Sequence, residues 1–320
     1  MDPQAPVTTL ALVGGGTMGT SFAQLFALGG LRCRLSDASA EAAGAARERT
    51  IRQATVLAEA GLLADDAPDR IAAAVTSAAS TEAAVEGADF VLEAVPEDVA
   101  VKLETLQRIE SAAGPEIPIA TNTSAIPITQ LAAELAAPER FLGAHFFNPP
   151  LWVPCVELIS GPATDPAVVE RFGELLRAVG KRPVAVRDAA GFVANRIQFA
   201  MFREAAAVVD EGIASPEDVD AIVSSSFGFR LPFYGPFAIA DMAGLDVYEG
   251  AYEALDQAHG LAAPPALGRQ IEAGRFGVKR GGGFTMDEMS DDRAAAASLR
   301  RDRSYAALRD LVDELQGADR

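Results

Sequence analysis

The stretch "TLALVGGGTMGTSFAQLFALGGLRCRLSD", residues 9 to 37, constrains the chain more than any other. An apolar run ends in Gly14, Gly16 and Gly19 with the spacing G-x-G-x-x-G, an amphipathic helical pattern follows, and a second apolar run closes at Asp37. Strand, glycine turn, helix and strand make a βαβ unit, since parallel strands need a crossover. Glycines so placed permit the tight turn, the approach of backbone to a pyrophosphate and close packing of helix on sheet, while the helix start offers N–H donors. Gly14, Gly16, Thr17, Met18 and Gly19 therefore read as the phosphate cradle of a dinucleotide site. Asp37 suits the hydroxyls of an adenosine ribose and repels a 2′-phosphate, so the expected cofactor is NAD.

The same alternation continues. From about Ser39 to Ala78 an Ala-rich stretch studded with Arg and Glu keeps helical periodicity, broken at "AGLLADDAPD", and reads as a helical pair inserted after the second strand. "DFVLEAV", "IPIATN", "FLGAHFF", "VELISG" and "RPVAVRD" are short apolar runs between turn formers, with helices expected at 97–113, 127–136 and 166–179. This order implies a largely parallel sheet covered by helices. Past Asp188 the strand signals stop, and "AAGFVANRIQFAMFREAAAVVDEG" opens a helical region. A chain of 320 residues accommodates two domains, expected at 1–187 and 188–320.

Composition removes several classes of function. A formal net charge of −18 opposes non-specific nucleic-acid binding, which needs cations on the phosphates. No apolar run approaches the ~20 residues of a membrane span. The first residues lack a basic stretch ahead of an apolar core, so a cytoplasmic protein is expected. Cys33 and Cys155 lie in apolar contexts without metal-ligand spacing; both are expected to be reduced and buried, and no metal is expected. The lysines are only Lys102, Lys181 and Lys279.

His145 is one of 2 histidines and sits in "GAHFFNPP". A histidine among apolar residues is more often a packed core residue. An uncharged imidazole, however, can take the proton of an alcohol as hydride leaves its carbon, and a carboxylate such as Glu157 can fix its tautomer and stabilise the imidazolium. Taken alone, Glu157 also suits a surface position near a strand end.

Six ordered motifs behind the glycine turn, "EAVPEDVAVK", "ATNTSAI", "GAHFFNPP", "VELI", "GFVANRI" and "GPFAIADMAGLD", resemble the NAD-dependent 3-hydroxyacyl-CoA dehydrogenases over about residues 8 to 285. The resemblance implies an α/β, Rossmann-like dinucleotide-binding domain with a helical-pair insertion, followed by an all-α domain that forms most of a homodimer interface. It also implies L-specific oxidation of a 3-hydroxyl to a ketone. By position His145 matches the family's catalytic base and Glu157 its partner, and Ser124 and Asn195 match residues that hydrogen-bond the substrate oxygen and its surroundings. Glu97 and Lys102 match contacts around the nicotinamide ribose, and Asn122 lies on the same loop. Asn195 lies near the start of the helical region, which places the expected site between domains. Outside the resemblance, Ser124 suits a helix N-cap, Asn195 a helix-surface amide and Lys102 a solvated helix residue.

The sequence departs from the family in two places. Members acting on CoA thioesters commonly carry basic residues in the helical pair and a lysine in the loop after the histidine motif. Here the pair's tip holds no lysine and Pro154 stands in the loop, leaving Arg47, Arg49 and Arg52 as the available cations. The segment "SSSFGFRLPFYGPFAIAD" is also longer than usual, and similar to relatives acting on free hydroxy acids, such as lambda-crystallin and L-gulonate 3-dehydrogenase. Arg230 in that segment suits a carboxylate clamp, and Asn148 and Trp152 are further candidate substrate contacts. The expected reaction is oxidation of an L-3-hydroxyacyl-CoA, the alternative a free 3-hydroxy acid or sugar acid. A lysine-dependent β-hydroxyacid dehydrogenase is disfavoured because 186–196 contains no lysine. A dinucleotide-binding regulator is the alternative without chemistry.

Overall fold

The computed structural model describes residues 9–318. The chain divides into two compact units, Met1–Met201 and Phe202–Arg320. In chain order the first contains β1 (Thr9–Val13), α1 (Thr17–Leu28), β2 (Arg32–Ser36), α2 (Ala40–Glu59), α3 (Ala67–Ala74), β3 (Val75–Ser77), α4 (Thr81–Val85), β4 (Phe90–Glu93), α5 (Val99–Ala112), β5 (Ile119–Thr121), α6 (Ile128–Ala132), β6 (Phe141–Phe146), β7 (Cys155–Ser160), α7 (Pro166–Ala178) and β8 (Arg182–Arg187). It ends in the first turns of α8 (Ala194–Asp210). The division expected at 187/188 follows the change from strand to helix. The compact unit runs on to Met201 because the start of α8 is hydrogen-bonded to β7 and to the loop after β5.

The eight strands form one sheet in the order β3-β2-β1-β4-β5-β6-β7-β8. The β6/β7 pair is antiparallel and every other pair is parallel. Side chains alternate across the pleat, so each central strand feeds two cores. Leu10 and Leu12 of β1 join Phe22, Phe26, Phe90 and Phe172 on one face. Ala11 and Val13 join Val91, Leu106, Ile109 and Ile119 on the other. Several of the helices start where short polar side chains satisfy the first free N–H groups, with Ser39, Asp98 and Asp165 capping α2, α5 and α7.

Three expectations need correction. The stretch expected to stay helical to Ala78 ends in β3, a three-residue edge strand paired with β2. The helix expected at 127–136 is the shorter α6, because the Glu110 carboxylate takes the N–H groups of Ala136 and Ala137. Cys33 is buried in β2, where burial pushes its thiol up to about 12, but Cys155 at the head of β7 is only half-buried; both are free thiols.

The second unit continues α8 and adds α9 (Pro216–Ser225), α10 (Pro236–Ala243), α11 (Leu245–His259), α12 (Pro265–Glu272) and α13 (Asp291–Ala318). Its core cluster is small, Ala240, Leu245 and Leu267 with four half-buried neighbours. Buried Asp241 accepts N–H bonds from Phe284, Thr285 and Met286 and so ties the glycine-rich loop after α12 to α10. Among the described residues no helix is long and apolar enough to cross a membrane.

Candidate active site

His145 and Glu157 face each other directly in the β6/β7 register. Antiparallel partners stand close on one side of the sheet, which is how residues separated by a long loop come to meet. The ring Nδ1 lies 2.8 Å from Glu157 Oε2. The second carboxylate oxygen, Oε1, accepts the N–H groups of Val193 and Ala194, each at 3.0 Å, at the opening of α8. Glu157 thus serves as the anion at a helix N-terminus, where the helix dipole favours negative charge. Burial pushes its carboxyl up, but the His145 ring and the two N–H donors outweigh that and hold it below the ordinary carboxylate range.

Phe192, just before those donors, is buried at φ 50, a left-handed conformation that a bulky side chain adopts only under constraint. Its ring packs on His145 at 5.6 Å between centroids, and Phe147 packs at 4.6 Å. His145 is 5% exposed. A carboxylate on Nδ1 favours the tautomer with the proton on that nitrogen and the lone pair on Nε2. Among the described residues Nε2 has no hydrogen-bond partner.

Ser124 and Asn195 are brought together as well. The Asn195 amide Nδ2 donates to the Ser124 carbonyl at 2.8 Å, and both belong to the first unit. Ser124 is not a helix cap, since Pro127 precedes α6. Its N–H and hydroxyl donate to Glu97 Oε1 at 2.8 and 3.2 Å, alongside Thr123 Oγ1 at 2.6 Å and the Ala125 N–H at 3.0 Å. Burial pushes the Glu97 carboxyl up, but these donors and the nearby Lys102 ammonium leave it below its ordinary range. Asn122 Oδ1 accepts the Phe146 N–H at 3.0 Å and so ties this loop to the residue after His145.

Lys102 is neither a solvated helix residue nor, in this conformation, a group that touches a ribose, because it is 0% exposed. Its ammonium donates to Glu93 Oε1 and Oε2 at 2.9 and 3.2 Å and to the Val95 carbonyl at 3.2 Å, with Glu97 Oε2 at 3.6 Å. It therefore braces Glu93 and Glu97. Glu93, which Thr121 also contacts, was not singled out from sequence. The available signal was a carboxylate inside the apolar strand "FVLEAV". Burial pushes the Glu93 carboxyl up against the pull of Lys102.

The glycine turn fits a dinucleotide. Gly14 has φ 107, and a Cβ there would lie 2.6 Å from the Ala94 backbone; one on Gly19 would lie 1.8 Å from the Gly14 carbonyl. Those two glycines answer to the protein's own packing. Gly16 does not, since an added Cβ would meet nothing within 4 Å and φ is −69. Its bare backbone leaves room for a ligand to approach closely at the start of α1, where Gly16 and Thr17 are exposed and Met18 half-buried. Asp37 Oδ2 accepts the Gly15 N–H at 3.2 Å beside this space.

The candidate substrate residues are more scattered. Trp152, 49% exposed, lines a cavity of about 530 Å³ with Ser21, Arg52, Val56, Leu57 and Leu151. Asn148 is exposed at the head of the same loop. Arg230 is exposed in the second unit and lines a cavity there with Met242, Asp302 and Tyr305, so it and Trp152 fall in different units. Of the three arginines available to a CoA phosphate, two bond main-chain carbonyls. Arg47 donates to the carbonyls of Val75 and Ala72, and Arg49 to that of Gly15, while exposed Arg52 pairs with Glu48 at 3.6 Å. Lys181, noted in sequence only for its rarity, is buried and donates to the carbonyls of Pro150, Leu151 and Val153, so it braces the loop that carries Trp152.

Known proteins of similar sequence and fold place the chain in a family. Residues 9–189 match the model of the 3-hydroxyacyl-CoA dehydrogenase NAD binding domain, and residues 191–287 that of its C-terminal domain. The chain is 35% identical to 5-formyl-3-hydroxy-2-methylpyridine 4-carboxylate 5-dehydrogenase of Mesorhizobium japonicum, over 96% of this chain and 99% of that protein. It is 34% identical to a probable 3-hydroxybutyryl-CoA dehydrogenase of Bacillus subtilis, over 87% of this chain and 96% of that one. The crystal structure of a 3-hydroxyacyl-CoA dehydrogenase from Archaeoglobus fulgidus superposes with a TM-score of 0.79 at 29% identity, covering 97% of this chain and 99% of that one. With its NAD-binding turn, and with a histidine and a glutamate in register across β6 and β7, the chain belongs to the 3-hydroxyacyl-CoA dehydrogenase family of NAD-dependent enzymes that act on CH–OH groups.

Proposed function

We propose that this enzyme oxidises the 3-hydroxyl of an L-3-hydroxyacyl-CoA to the ketone, reversibly, with His145 as the base in oxidation and the acid in reduction. The carrying observation is the 2.8 Å contact between His145 Nδ1 and Glu157, which leaves Nε2 free to take the hydroxyl proton. NAD, when bound, accepts the hydride. As the proton arrives on Nε2 the ring becomes cationic, and Glu157 stabilises that charge without taking the proton itself. Ser124, held by its N–H to Glu97 and by its carbonyl to Asn195, would turn its single O–H from Glu97 to the developing negative charge on the substrate oxygen. Glu97 and Asn122 are the proposed cofactor contacts on the nicotinamide side, with Lys102 supporting Glu97.

A second reading has a specific observation in its favour. Arg47 is engaged by two main-chain carbonyls, which weakens the case for a CoA phosphate, and one relative matched over nearly its whole length is named for a pyridine carboxylate. A small hydroxy compound bearing a free carboxylate is therefore the competing substrate, with Arg230 as its proposed clamp. Steady-state rates on acetoacetyl-CoA with NADH, against free 3-hydroxy acids with NAD, decide between them. A kcat/KM on the thioester at least ~10-fold above that on any free acid supports the first reading, and the reverse order supports the second.

The homodimer belongs to the same proposal. Helix α8 buries no residue, and Ile197, Phe199 and Phe202 are exposed along it, Phe202 at 68%. Such an apolar run favours association with a second copy. Sedimentation at micromolar concentration should give twice the chain mass. A cytoplasmic location stays part of this reading.

A further inference from the structure

Gly15, the middle residue of the three consecutive glycines, is held from both sides by opposite charges. Its N–H donates to Asp37 Oδ2 at 3.2 Å, and its carbonyl accepts Arg49 Nη2 at 2.9 Å. Arg49 reaches it because α2 packs directly on the turn: a Cβ on Gly15 would lie 2.5 Å from the Ala46 Cβ, and Arg49 follows Ala46 by about one helical turn. Among the described residues no ion pair joins Arg49 to Asp37 or to any other carboxylate. Arg49 is half-buried, and one bond to Gly15 leaves most of a five-donor guanidinium for other acceptors.

The acid at the end of a second strand binds an unsubstituted ribose, whereas an arginine close by accommodates a 2′-phosphate. This chain has both, on either side of one residue. We infer that Arg49 is a standing anchor for the 2′-phosphate of an adenosine dinucleotide, and that Asp37 alone keeps the site selective for NAD. The guanidinium matches a phosphate in charge and in fork geometry, and its Gly15 bond holds it in place before any ligand arrives. The inference concerns the adenosine end of the site and holds whichever hydroxy compound is the substrate.

Fluorescence titration of NADH and NADPH tests it by affinity, without turnover. The proteins are wild type, Asp37→Ser, Asp37→Ser/Arg49→Gln and Asp37→Ser/Arg49→Lys. Removing the acid should tighten NADPH binding at least ~10-fold, and adding Arg49→Gln should reverse roughly 5-fold or more of that gain while NADH affinity moves less than about 2-fold. Arg49→Lys, which keeps the charge, should retain most of the gain and so serves as the control for loss of the turn's shape. Three results would overturn the inference: no NADPH gain in Asp37→Ser, equal NADPH affinity with glutamine or lysine at position 49, or equal losses of NADH and NADPH in the glutamine variant. The last would make Arg49 a brace for the turn and nothing more.

Discussion

Two carboxylate clusters in the first unit are built from similar parts and do different work. Around β4 and α5, Glu93 and Lys102 pair at 2.9 Å with neither side chain more than 1% exposed. Across β6 and β7, Glu157 and His145 pair at 2.8 Å with side chains 4% and 7% exposed. What separates them is the partner base. The Lys102 ammonium is surrounded by Glu93, Glu97 and the Val95 carbonyl and is cut off from solvent, so it has nothing free to offer a ligand. The His145 ring has a second nitrogen, Nε2, with no hydrogen-bond partner among the described residues. The first cluster fixes a loop, and the second is the one proposed to move a proton.

The largest expected effect breaks the first cluster. Lys102→Met would leave Glu93 and Glu97 without their cation, and losing one partner of a buried pair costs about 3–5 kcal/mol of unfolding free energy, measurable by urea melting. Adding Glu93→Gln should restore a good part of it. A loss below ~1 kcal/mol would mean that the buried pair is not structural. Next comes His145→Gln, which should lower kcat by at least ~100-fold, within the range for loss of a general base, while NADH affinity and urea stability hardly change. Comparable turnover in that variant would remove the contrast between the clusters altogether.

The dyad was legible in sequence and the lysine cluster was not, for physical reasons. His145 and Glu157 stand in strands whose apolar runs announce them, and the ordered motifs supplied the pairing; the register then explains it. Lys102 is nine residues from Glu93, on the helix after the strand, and nothing in a one-dimensional pattern tells a buried ammonium from a solvated one. The glycine turn, the inserted helical pair and the sheet-then-helices order were readable because each imposes a period or a break. The edge strand β3 was not, since three residues carry too little alternation to stand out from a helical run. Arg47, Arg49 and Lys181 were visible as cations, but their acceptors are main-chain carbonyls, which leave no mark in a sequence.

Glu157→Gln sharpens the contrast from the carboxylate side. The amide can still fill the space between His145 and the start of α8, but it cannot stabilise an imidazolium with full charge. We expect kcat to fall by about 10-fold or more, less than for loss of the base itself, with KM moving little. An effect on KM alone would make Glu157 a support for the fold of the pocket and not a partner in proton transfer.

The smallest effect is on stability against pH, and its sign follows from the direction of the Glu157 shift. Its carboxyl titrates lower in the folded protein than in the unfolded chain, because burial, which raises it, is outweighed by the His145 ring and the N–H groups of Ala194 and Val193. A depressed acid binds fewer protons when folded, so its contribution is fully present above the ordinary glutamate value of about 4.3 and drains away as pH falls through the folded value. The stability difference between wild type and Glu157→Gln should therefore shrink as pH falls below about 4.3. The reverse slope, a difference that grows on acidification, would mean that the helix start and the imidazole do not favour the charged carboxylate. Burial would then rule Glu157 as it rules Glu93, and the two clusters would differ only in their base.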